Sequence, residues 1–113
     1  MREKDLSKQI SDYLAIQENA GKLIFFRTNS FCGAITRPDG SKGWVKNNKP
    51  GVADYFVLLP KGCCLLVELK SDKGKQSQAQ KDFQDKVERL CGYYQVVKSL
   101  DVLIETIKDI NGQ

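Results

Sequence analysis

Three residues near the middle of the chain have the types and the spacing for phosphoryl chemistry: Asp54, Glu68 and Lys70. They bracket the run GVADYFVLLPKGCCLLVELK, residues 51–70, which reads as two apolar strands joined at Pro60-Lys61-Gly62. Side chains alternate along a strand, so Glu68 and Lys70 share one face while Leu65, Val67 and Leu69 share the other. Asp54 lies six residues before Pro60, and Glu68 lies six residues after Gly62. A hairpin with arms so matched returns Asp54 to the side of Glu68. Two carboxylates at one point of a sheet repel, and a hard divalent cation such as Mg²⁺ offsets that repulsion with oxygen ligands. The backbone carbonyl of Leu69 is a further oxygen within reach. A neighbouring lysine can then help deprotonate an attacking water or neutralise charge on a phosphate.

Glu-x-Lys also occurs by chance on the open face of antiparallel strands, where such pairs are weak and solvated. Here the strand is apolar on both faces before Glu68, as expected of a sheet covered on both sides, so the charges emerge from a core.

The elements that must position these residues follow from periodicity. Glu3 to about Asn19 carries Leu6, Ile10 and Leu14 at helical spacing and is stopped by Gly21. KLIFFRT, from Lys22, is β-branched and aromatic and reads as a strand. Residues 29–50 form a long, polar, glycine-rich loop with a turn at RPDG, able to hold a short strand pair around Ala34–Arg37 and Gly43–Val45. Strands follow at Tyr55–Leu59 and Cys64–Lys70. Gln78–Cys91 is an amphipathic helix with Phe83, Val87 and Leu90 on one face, closed by Gly92. Tyr93–Lys98 is a strand, and Ser99 caps a last helix with an apolar face of Leu100, Leu103, Ile104 and Ile107. The strand-helix-strand unit after the hairpin calls for a parallel pair with a right-handed crossover. The expectation is an α/β fold with a mixed central sheet flanked by helices.

At 113 residues the chain is long enough for one domain with one real core. It has no run of about 20 apolar residues, and MREKDLSKQ lacks the apolar stretch of a signal peptide, so an intracellular, cytoplasmic or nuclear home is expected. Cys32, Cys63, Cys64 and Cys91 show no zinc-ligand spacing and are read as reduced. The chain contains no histidine. That excludes Ser-His and Cys-His hydrolases, histidine-ligated zinc and every nuclease whose general base is histidine. Eighteen basic against fourteen acidic residues permit nucleic-acid binding without demanding it. The basic residues Arg27, Arg37, Lys42, Lys46 and Lys49, interleaved with Phe31 and Trp44, precede the 51–70 run, and Lys73 and Lys75 follow it. The two aromatic residues suit either stacking on an unpaired base or anchoring of the loop.

In their order, GVAD, an apolar strand with VELK, GKQSQAQKDF opening a helix and LCGYYQVV closing it resemble the VRR-NUC (virus-type replication-repair nuclease) group of the PD-(D/E)xK nuclease superfamily. The resemblance spans nearly the whole chain, with Ala53 where many members have proline. It implies a restriction-endonuclease-like fold and an endonuclease dependent on Mg²⁺ or Mn²⁺. Asp54 and Glu68 would ligate the metal with the Leu69 carbonyl, and Lys70 would serve the attacking water. Gln80 would hold substrate or orient Lys70, and Glu3 would reach the metal directly or through water. The short members resemble homodimeric Holliday-junction resolvases, which implies branched DNA as partner and a virus or mobile element as host. Two other readings stand beside this one: a restriction- or recombination-type nuclease on duplex DNA, and a DNA-binding module that does not cleave.

Overall fold

Leu6, Ile10 and Leu14 recur every four residues, and burying them winds Glu3–Asn19 into helix α1. Gly21, at φ 74°, ends it: the Gly21 amide donates to the Glu18 carbonyl at 2.9 Å and the Lys22 amide to the Gln17 carbonyl at 3.0 Å. This left-handed cap satisfies carbonyls that the helix leaves open. In the computed structural model, which describes residues 1–28, 32–46 and 51–113, the chain continues through β1 (Ile24–Arg27), β2 (Cys32–Thr36), β3 (Lys42–Lys46), β4 (Tyr55–Leu58) and β5 (Cys64–Leu69). Helix α2 (Gln78–Arg89), β6 (Tyr93–Val97) and α3 (Leu100–Asn111) complete it.

Strands β1, β4, β5 and β6 form a mixed sheet in that order. The β1–β4 and β4–β5 pairs are antiparallel and β5–β6 is parallel, with α2 as the connection. Lys61 and Gly62 both take positive φ, 66° and 75°, as a tight hairpin turn requires. One face of the sheet carries Tyr55, Val57, Leu65, Val67 and Leu69 against α1 and α3. The other carries Phe56, Leu66 and Tyr94 against Phe83 and Val87 of α2. Both faces are covered, and β5 is accordingly apolar on both.

Within the 29–50 stretch the short strand pair is present, with bounds shifted by a residue or two from the expected ones. Strands β2 and β3 pair antiparallel from Cys32↔Lys46 to Thr36↔Lys42, a two-stranded sheet separate from the main one. Two helix faces depart from expectation. Leu90 lies beyond α2 and is 84% exposed. The turn that ends α2 puts Cys91, at φ 65°, in the left-handed position where Gly92 was expected. Gly92 is needed for closeness instead: a Cβ there would lie 2.9 Å from Val87 Cγ1. In α3 the buried set is Leu103, Ile107 and Ile110, and Ile104 is exposed. Spacing of four and three residues places Ile110 on that stripe and Ile104 off it. No helix among the described residues is long and apolar enough to cross a membrane.

Candidate active site

The hairpin register brings the two carboxylates together. Tyr55 pairs with Val67 at the end of β4, and one further step sets Asp54 opposite Glu68. Asp54 is held there by backbone groups. Its Oδ2 accepts from the Leu69 amide at 2.7 Å, and its carbonyl accepts from the Thr28 amide at 3.0 Å. The Thr28 hydroxyl donates to the Ala53 carbonyl. Because the amide and carbonyl of a strand residue point to the same edge, the Leu69 carbonyl also opens beside Asp54.

Glu68 is the one buried charged residue among those described, 3% exposed. Its Oε2 accepts from Gln80 Nε2 at 2.8 Å and lies 3.8 Å from Lys70 Nζ, and its Oε1 accepts from the Tyr94 hydroxyl at 3.3 Å. Burial, and then the neighbouring Asp54 charge, push its carboxyl up to about 7, although Lys70 pulls the other way. A carboxyl so placed is half-ionised near neutrality. Burial and the charge of Glu68 raise the Tyr94 hydroxyl well above its ordinary range, so it stays a donor.

Comparison with protein-family models, with curated proteins and with solved structures gives no match. The site therefore speaks through its own geometry.

Gln80 is fixed at both ends of its amide. Its Oε1 accepts from the Ser77 amide at 2.9 Å, one half of a reciprocal cap at the start of α2, while its Nε2 donates to Glu68. It therefore meets Glu68, where the resemblance offered substrate or Lys70 as its partner. Gln76 and Gln78 turn instead to Gln84 and Asp82. Helix α2 is seated by Gly51. At φ 76°, a Cβ on this residue would come within 2.2 Å of the Ala79 carbonyl oxygen and 2.7 Å of the Gln80 nitrogen. Gly51→Ala must therefore lift the first turn of α2 and withdraw Gln80 from Glu68. The variant is expected to lose roughly 2 kcal/mol of stability. A thermal melt checks this, and wild-type stability would show that the contact is slack.

Asp54 and Leu69 also line an open cleft of about 540 Å³ beside α1 and the end of β1, with Glu3, Lys4, Lys8 and Arg27 among its walls. Glu3 is exposed in the first turn of α1. It shares the cleft with Asp54 but is not gathered with Asp54 and Glu68: among the described residues no three His, Cys, Asp or Glu side chains form a metal-holding group. Arg27 sits 5.3 Å over the Tyr55 ring, whose hydroxyl is tied to Ser11 Oγ at 2.6 Å. Lys73 and Lys75 are exposed on the loop between β5 and α2. Arg37 and Lys42 are on the β2–β3 hairpin, and Lys46 ends β3 with its side chain outside what is described. Lys49 and Phe31 lie outside the described residues. Cys63, Cys64 and Cys91 carry free thiols.

Sequence reasoning missed Tyr94, Thr28 and Lys4. Tyr94 could have been found as an alternate residue of the strand expected beside β5. Thr28 and Lys4 gave no signal, since their roles arise only when β1 and α1 meet the start of β4.

Proposed function

We propose that this chain is a Mg²⁺- or Mn²⁺-dependent DNA endonuclease of the VRR-NUC kind, on a restriction-endonuclease-like fold. The observation that carries the reading is the buried Glu68, facing Asp54 at the end of a central hairpin and contacted by Lys70 and Gln80. A folded chain keeps such a repelling pair at a cost, and a cation offsets it. The donors are all hard oxygens: one oxygen from each of Asp54 and Glu68, with the Leu69 carbonyl. That small set suits Mg²⁺, which keeps waters and takes phosphate oxygens as its remaining ligands. Glu3 would reach such an ion through water, across the cleft. When bound, the ion would supply Lewis-acid polarisation of a phosphate oxygen and a more acidic water.

The remaining work falls to the chain. Lys4 and Arg27 offer positive charge to the DNA backbone where it enters the cleft beside Asp54. Lys70 neutralises charge that develops on the phosphate, and Gln80 and Tyr94 keep the Glu68 carboxylate aimed. Branched DNA is the proposed substrate, cut by a homodimer, because a twofold pair places two sites across a four-way junction.

Cleavage of labelled four-way junction, flap and linear duplex, with Mg²⁺, Mn²⁺ or EDTA, tests this. Metal-dependent product from wild type, absent from Asp54→Asn, is the expected result. Preference for linear duplex would favour the restriction- or recombination-type nuclease. DNA binding with no product under either metal would overturn the nuclease reading and leave a binding module.

A further inference from the structure

The β2–β3 hairpin leaves the chain and returns to it at the site. It departs just after Thr28, which binds both Ala53 and Asp54, and returns just before Gly51, which abuts the first turn of α2 at Gln80. The described part of the chain measures 51 Å along its longest axis and 32 × 31 Å across, and the hairpin's two strands pair only with each other. Inserted in the chain between Thr28 and Gly51, the hairpin is tethered on both sides to residues that border the carboxylates, which keeps it within reach of DNA bound there.

The surface of this arm has a definite chemistry. Lys42 and Trp44 are alternate residues of β3 and share one face, opposite Thr36 and Ala34 respectively. Trp44 is 65% exposed, and Ala34 across the ribbon from it is exposed as well. Lys42 Nζ donates to the Thr36 hydroxyl at 2.8 Å, which holds the ammonium beside the ring's strand. Arg37 lies flat over Gly43, where a Cβ would come within 2.4 Å of its guanidinium carbon, and its Nη1 donates to the Lys42 carbonyl at 2.9 Å. Both cations are fixed by neutral partners, which leaves their charge uncompensated within these contacts.

We propose that this hairpin is the subsite for unpaired nucleotides: Trp44 stacks on a base, and Lys42 and Arg37 hold the adjoining phosphates. The inference rests on the nuclease reading for the ligand's being DNA, and it narrows the substrate to branched DNA with a single-stranded segment beside the cut. Bases within a duplex are already stacked on both faces, so an exposed indole can stack on a base only where strands separate. A two-stranded ribbon can also enter a major groove. In that case an indole meets base edges and thymine methyls, and single strands would bind no better than duplex.

Trp44 is the chain's single tryptophan, so its fluorescence reports on this face alone. In EDTA, titration with a thymidylate 12-mer is expected to quench it saturably, with affinity that falls as salt rises. A 12-base-pair duplex should quench it far less. By anisotropy of the labelled 12-mer, Trp44→Ala should weaken binding about tenfold, while Trp44→Phe, which retains an aromatic face, should stay within about threefold. Equal quenching by duplex and single strand, or Trp44→Ala binding as tightly as wild type, would overturn the proposal. Because no cleavage is measured, the two readings fail separately. Quenching by the single strand without any metal-dependent product sinks the nuclease and keeps the subsite. Product with a silent Trp44 does the reverse.

Discussion

At pH 8 and without divalent cation, the Glu68→Gln protein is expected to melt about 5–10 °C above wild type while losing all detectable cleavage. The folded carboxyl titrates at about 7, raised from 4.5 chiefly by burial and then by Asp54. The unfolded chain releases its proton near the ordinary value and the folded chain holds it longer. Stability therefore falls as pH rises through the window from 4.5 to about 7, and the full penalty persists above it. Glutamine removes the charge and keeps an oxygen for Gln80 Nε2 and an amide to face Asp54. The gap between variant and wild type should thus open across that window and be absent at pH 4. Adding Mg²⁺ or Mn²⁺ should raise the wild-type melting temperature and leave the variant unmoved, since a ligand stabilises only the fold that binds it. A variant that melts with wild type at every pH would mean that Glu68 is not held against its charge, and the argument for a cation at this point would go.

Much of this arrangement was legible because it depends on local rules. The period of two puts Glu68 and Lys70 on one face, and a tight turn at Lys61-Gly62 fixes the register that sets Asp54 opposite Glu68. Gly21 and Ser99 mark helix ends by backbone and hydroxyl chemistry that any chain obeys. What stayed hidden depends on contacts between distant segments. The β2–β3 pair was legible in outline, around 34–37 and 43–45, but its ends were not, since Gly33 and Gly43 dilute the alternation. Ile104 and Ile110 are both apolar, and which of them is buried depends on which face of α3 meets the core, the one that carries Leu103, Ile107 and Ile110. Gln80 illustrates the boundary well. Its place in the first turn of α2 was readable from a helix opening at Gln78, but its bonds to Ser77 and Glu68 were not, and the second exists because Gly51 lets the helix settle against the strand.

Lys70→Ala is expected to lower the cleavage rate by about 10²–10⁴-fold, with DNA affinity changed no more than a few-fold. The side chain is held where this loss should be felt. Its backbone amide donates to the Val97 carbonyl at 3.1 Å, and its stem lies 3.3 Å from where a Cβ on Gly74 would stand, so the turn at Ser71–Gly74 backs it. Its Nζ is 3.8 Å from Glu68 Oε2. Lys70 draws the Glu68 titration downward, so removing it leaves that carboxyl protonated to higher pH. Metal binding requires the carboxylate, and a proton must leave before the ion enters. The acid limb of the pH–rate profile should therefore move upward in Lys70→Ala. Lys70→Arg separates the two jobs a lysine can do. Guanidinium keeps the positive charge and does not give up its proton at working pH. Recovery of at least tenfold over alanine, with the acid limb returned, is expected if Lys70 acts by its charge on Glu68 and on the phosphate. An arginine variant as slow as alanine, with its acid limb restored, would instead make Lys70 a proton carrier for the attacking water.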